Sequence, residues 1–127
     1  MAKKRILVVD DEPDFAMLVK KYLKKEGFQV EMAFNGVEGL EKVHANPPDA
    51  IVLDVMMPEK DGYGVCAELK GDEKYADIPI LLLTAVADHV SSTRYSHFDG
   101  ISMKADDYLP KPASAEEICE SVKSFVS

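Results

Sequence analysis

Ala50-Ile51-Val52-Leu53-Asp54 is an unbroken apolar run closed by a carboxylate. A run of that length with no periodic polar break reads as a short strand buried on both faces. Asp54 then stands at a strand's carboxyl end. In an open parallel α/β sheet that end borders the crevice where ligands bind. Taken alone, Asp54 reads equally as a strand cap or the start of a turn, so the neighbouring segments have to decide.

Upstream, Ile6 to Val9 is a second continuous apolar run, and it too ends in acids, Asp10, Asp11 and Glu12. Pro13 suits the first turn of a helix, and Phe15, Leu18, Val19, Tyr22 and Leu23 follow at helical spacing, stopped at Gly27. Phe28, Val30 and Met32 alternate with Gln29 and Glu31, the pattern of a strand near a sheet edge. Asn35 with Glu38 three positions later opens a second helix, which Asn46-Pro47-Pro48 ends. Downstream of the opening run, Val55 to Gly62 reads as a loop and Tyr63 to Lys70 as a third helix, weaker in pattern. Ile80 to Leu83 is another buried strand, ending in Thr84-Ala85. Residues 86–104 predict a fourth helix with a long loop beside it. Ala105 to Leu109 reads as a fifth strand, and Ser114 with Glu117 as a capping box opening a last helix, with Ile118, Val122 and Phe125 facing inward.

Strands alternating with helices at this spacing predict an α/β fold: a doubly wound, five-stranded parallel sheet with five helices. The all-apolar first, third and fourth strands belong in its middle, and the order 2-1-3-4-5 makes strands one and three neighbours at the topological switch point. The 127 residues suit one domain. A net charge of −8 excludes a nucleic-acid surface built from clustered basic residues. Cys66 and Cys119 lack metal-ligand spacing and read as reduced packing residues, which fits a cytoplasmic protein. The apolar run after Lys3-Lys4-Arg5 is too short for a signal peptide, and none reaches the length of a membrane span.

With strands one and three side by side, Asp10, Asp11 and Asp54 converge. Their mutual repulsion favours a hard divalent cation, and Mg²⁺ is typically held by one or two carboxylates together with phosphate oxygens. Thr84 and Lys111, at the ends of the fourth and fifth strands, could bring a hydroxyl and an ammonium to the same point and neutralise an incoming phosphoryl group. Asp54 is then the nucleophile.

Val8-Val9-Asp10-Asp11-Glu12, Leu53-Asp54 with Pro58 and Asp61-Gly62, Leu83-Thr84-Ala85, and Ala105-Asp106-Asp107-Tyr108-Leu109-Pro110-Lys111-Pro112 together resemble the receiver domain of two-component response regulators, across the whole chain. The resemblance implies a flavodoxin-like receiver fold over residues 1–127. It implies phosphoryl transfer from a histidine kinase or histidine phosphotransfer protein onto Asp54. Mg²⁺ would be bound by Asp11, Asp54 and the main-chain carbonyl of Met56, with Asp10 acting through water. Lys111, Thr84 and Ala85 would bind the phosphoryl group. Thr84 and Tyr108 would be switch residues that remodel the face of the fourth helix, fifth strand and last helix, a surface for homodimerisation or an effector. A cis peptide between Lys111 and Pro112 is also implied. Such a domain catalyses only its own phosphorylation and dephosphorylation.

The chain departs from the family pattern in three places. The segment between Thr84 and Lys111 is longer than usual, Lys104-Ala105 replaces the common Gly-Ala, and Ala113 stands where an aromatic is frequent. The positions that tune water attack on the acyl phosphate hold Met56 and Val86, neither able to orient a water, so slow self-dephosphorylation is expected. Three other readings are weaker. An aspartate-nucleophile phosphatase wants a second acid where Met56 stands. A phosphorylation-independent adaptor has no need of the intact acidic set, Thr84 and Lys111. A flavin carrier needs a phosphate loop where this chain places three acids. With no effector domain in the sequence, a stand-alone relay and a receiver cut from a longer protein are both compatible with it.

Overall fold

The computed structural model describes residues 3–55, 62–84, 106–110 and 113–126. Five strands, β1 (Arg5–Val9), β2 (Gln29–Ala33), β3 (Ala50–Asp54), β4 (Ile80–Thr84) and β5 (Asp107–Pro110), form one parallel sheet in the order β2-β1-β3-β4-β5. Four helices are described: α1 (Pro13–Lys25), α2 (Gly36–Ala45), α3 (Gly62–Lys70) and α4 (Ala115–Val126), the last of these being the last helix of the sequence reading. The helix expected within 86–104 lies outside the described residues.

The three central strands carry the unbroken apolar runs because both faces of the sheet are covered. One layer packs Ile6, Val8, Val52, Leu81 and Leu83 under α1 and α4, through Ala16, Val19, Leu23, Ile118 and Val122. The other packs Leu7, Val9, Ile51, Leu53 and Leu82 under α2 and α3, through Leu40, Val43, Val65 and Leu69. Successive side chains of a strand point to opposite faces, so a strand with two covered faces can afford no polar residue until it ends. β2 is an edge strand, and its alternating half-buried and exposed residues show it.

Helix ends follow local chemistry. At α4 the Glu117 N–H donates to Ser114 Oγ (3.0 Å) and the Ser114 N–H donates to Glu117 Oε1 (3.0 Å), a complete capping box. At α2 the Glu38 N–H donates to Asn35 Oδ1 (2.8 Å), but the Glu38 carboxylate accepts from the Phe34 N–H (2.6 Å), one residue before the cap. After α1 and its C-cap Glu26 the chain turns away at Gly27, whose φ of +96° lies where a side chain would be strained.

Non-local bonds fix the amino-terminal ends of the strands, opposite the acids. Arg5 and Asp49 exchange main-chain and side-chain bonds at 2.7 Å, and the Arg5 guanidinium donates to the carbonyls of Asn46 and Pro47 and pairs with Glu31. Lys70, only 10% exposed along its side chain, donates to the carbonyls of Ala76 (3.0 Å) and Ile78 (2.9 Å) and to Asp106 Oδ2 (2.9 Å). Asp106 Oδ2 also accepts from the Ile80 N–H, and the Asp106 N–H donates back to the Ile80 carbonyl. The start of β5 is thereby tied to the start of β4.

Candidate functional site: an acidic pocket at the carboxyl ends of β1 and β3

The β1–β3 register pairs Val9 with Leu53, so the next residues along, Asp10 and Asp54, leave the two central strands side by side. One oxygen from each of Asp10, Asp11 and Asp54 lies within 4.8 Å of the others. Asp10 and Asp54 are fully buried, whereas Asp11 is exposed at the mouth. Asp10 shapes the turn out of β1: its N–H donates to the Ala33 carbonyl (3.0 Å) and its Oδ1 accepts from the Glu12 N–H (2.9 Å). The residue at the cap position of α1 is Glu12, which makes no side-chain capping bond, so Asp11 is not consumed as a helix cap.

Asp54 is held by its backbone. The Val55 N–H after it donates to the Leu83 carbonyl (3.0 Å) of β4, and the Gly62 N–H at the start of α3 donates to the Val55 carbonyl (3.0 Å). A Cβ on Gly62 would run into the Asp54 carbonyl oxygen and come within 2.7 Å of Val55 Cα. No side chain fits there, and α3 therefore begins in direct contact with the main chain of Asp54. The sequence places Gly62 in a loop, whereas it is the first residue of α3. A Gly that opens a helix soon after a strand-end acid was the signal available for its role.

Thr84 closes β4, paired in register with Pro110 of β5, while its side chain lies outside the description. Tyr108 is on β5 and is 37% exposed as a residue, and its N–H donates to Asp107 Oδ1 (2.8 Å). Met56, Ala85, Val86, Lys111 and the Lys111–Pro112 peptide are outside the described residues, so the structure brings together the three acids and leaves those expectations as they stood.

Three carboxylates at this spacing, two of them shielded from water, form an all-oxygen donor set suited to a hard cation. The donor set thus fits a metal site.

The family model described as response regulator receiver domain matches residues 6–123. The chain belongs to that family. Response regulator MprA of Mycobacterium tuberculosis is 43% identical over 122 residues, covering 96% of this chain and 50% of that protein. The DNA-binding dual master transcriptional regulator RpaA of a Synechocystis strain is 38% identical, over 96% of this chain and 48% of that protein. The receiver thus spans about half the length of these curated relatives. Among solved structures, the signal receiver domain of a signal transduction histidine kinase from Syntrophus aciditrophicus superposes with a TM-score of 0.85 at 35% identity, covering 97% of this chain and 89% of that one. A chemotaxis response regulator of Vibrio cholerae gives 0.84 at 26% identity, covering 98% and 100%. The acidic pocket of this receiver is of the kind that serves as the phosphoacceptor site in response regulators, which are not conventional enzymes. Among the described residues no helix is long and apolar enough to cross a membrane.

Proposed function

We propose that residues 1–127 act as one phosphorylation switch in the cytoplasm, with Asp54 as the phosphoacceptor. The observation that carries this reading is the convergence of Asp10, Asp11 and Asp54 at one strand-end crevice. An Asp54 carboxylate oxygen attacks the phosphorus of a phosphohistidine on a sensor kinase or phosphotransfer protein. The P–O bond forms as the P–N bond breaks, and the imidazole leaves with its electron pair and takes up a proton. Asp11, Asp54 and the Met56 carbonyl would hold Mg²⁺, with Asp10 acting through water. The ion would neutralise charge on the transferred oxygens.

Lys111, Thr84 and the Ala85 backbone bind the remaining phosphoryl oxygens. Thr84 then moves towards the phosphoryl group and Tyr108 turns inward, which alters the face used for homodimerisation or an effector. With Met56 and Val86 flanking the acyl phosphate, water is poorly oriented and the phosphorylated state decays slowly. Apart from this self-directed chemistry the chain turns over no substrate.

Intact mass after incubation with acetyl phosphate tests the reading. One phosphoryl adduct is expected with Mg²⁺, and none with chelator or in Asp54→Asn. An adduct that survives Asp54→Asn, or no adduct on a folded protein, refutes it.

A further inference from the structure

The outer edge of β2 lies on the opposite side of that strand from the site described above. The Gln29 N–H donates to the Lys4 carbonyl and the Ala33 carbonyl accepts from the Asp10 N–H, so residues 29, 31 and 33 direct their backbone groups towards β1. By strand alternation Val30 and Met32 direct theirs outward. Among the described residues only one of those outward groups has a protein partner, the Met32 carbonyl, which accepts from Lys42 Nζ (2.8 Å). Edges of this kind are templates for a further strand unless they are covered.

A groove follows this edge on each face of the sheet. On the α1 side Met17 and Met32 form an apolar floor, and Lys20, Lys21 and Lys24 form the rim. Met17 is 58% exposed. Among the described residues these three lysines make no ion pair, although the chain as a whole carries a net charge of −8. On the α2 side Gln29, Glu31, Lys42, Asn46 and Pro48 line a second groove, while Val30, like Met32, turns its side chain to the α1 side. Alternate side chains of an added strand point to opposite faces and would enter the two grooves in turn.

We infer that the β2 edge is an acceptor for an extended segment of a partner protein that carries carboxylates along one side. Strand pairing supplies bonds to the outward groups of Val30 and Met32, and the carboxylates meet the unpaired lysines of α1. A second copy of the chain is a poorer occupant, because edge-to-edge pairing about a two-fold axis would bring two sets of these lysines together. A helix is poorer too, since it has no free backbone groups to pair with the edge.

The test uses a capped nine-residue peptide of alternating glutamate and valine, titrated into the ¹⁵N-labelled full chain. Saturable shifts centred on the Val30 and Met32 amides are expected, together with slowed hydrogen exchange at both. N-methylation of alternate peptide residues, which removes the strand-pairing donors, should weaken binding about tenfold or more. The doubly substituted Lys21→Glu, Lys24→Glu chain should weaken it similarly while keeping its circular dichroism, since both side chains are exposed. Equal binding of the N-methylated peptide would overturn strand addition. So would shifts centred elsewhere, or none at millimolar peptide. Protection of the same two amides that rises with protein concentration in the absence of peptide would identify a second copy as the occupant and overturn the inference as stated.

Discussion

Replacing Asp11 with asparagine should make the metal-free protein more stable and indifferent to magnesium. Asp11 is the exposed member of the acidic trio, and among the described residues it accepts no hydrogen bond. Its removal therefore deletes repulsion without orphaning a donor. At the 4.8 Å limit of the trio, two unit charges repel by about 1 kcal/mol in a water-like dielectric, the appropriate limit for an exposed group. Two such pairs, with Asp10 and Asp54, give about 1–2 kcal/mol. For a chain of this length 1 kcal/mol moves Tm by about 4 °C, so Asp11→Asn should melt roughly 4–8 °C above the wild type in chelator at low salt. The gain should shrink at 150 mM salt, where the Debye length is about 8 Å. In wild type, magnesium at ten times its Kd should add about 1.4 kcal/mol by mass action, and it should add almost nothing to the variant. Differential scanning calorimetry with and without Mg²⁺ reads both effects. A lower Tm for Asp11→Asn in chelator, or an equal magnesium shift in the two proteins, would refute the reasoning.

Gly62→Ala should destabilise the fold by about 2 kcal/mol or more, since a Cβ there meets backbone that cannot move without displacing Asp54. Urea titration would measure the loss, and the rate of acetyl phosphate labelling should fall with it in the molecules that remain folded. Ser114→Ala removes half of a capping box and should cost about 1 kcal/mol, read as a lower urea midpoint with unchanged slope. Burial, and secondarily the charge of Glu26, hold the Cys119 thiol above its ordinary range. A raised value means less thiolate at a given pH, so alkylation by iodoacetamide at pH 8 should be slow in the native protein and fast in urea. Because the protonated thiol is the form favoured by folding, this group should cost stability only as pH rises through the unfolded thiol range and beyond.

The parallel sheet was legible because two-sided burial writes itself as unbroken apolar runs, seen at Ile6–Val9, Ala50–Leu53 and Ile80–Leu83. The edge position of β2 was legible from its alternation, and the cap of α4 from Ser114 and Glu117, because both signals are local. The acid trio followed once β1 and β3 were neighbours, since each acid directly ends its strand. The Lys70–Asp106 pair was not legible, because residues 36 apart carry no periodic sign of meeting. Arg5 with Asn46, Pro47 and Asp49 was hidden for the same reason. Gly62 was recognised as a turn former, yet its contact with Asp54 depends on the angle at which α3 returns over β3. That angle is set by Val65 and Leu69 packing on the sheet.

The bonds joining Ile80 to Asp106, reinforced by Lys70, pin the first residues of β4 and β5 to one another. Chain added between Thr84 and Asp106 therefore lengthens a connection whose flanking strands are already joined. By the scaling for flexible chains, lengthening a connection of roughly 20 residues by a quarter costs only about 0.2 kcal/mol of closure entropy, far less than the stability of an ordinary domain. The crossover is thus a place where length can drift almost without thermodynamic penalty while β5 keeps its register. A receiver clamped in this way is free to vary its crossover from one relative to the next without moving the strand that carries Tyr108.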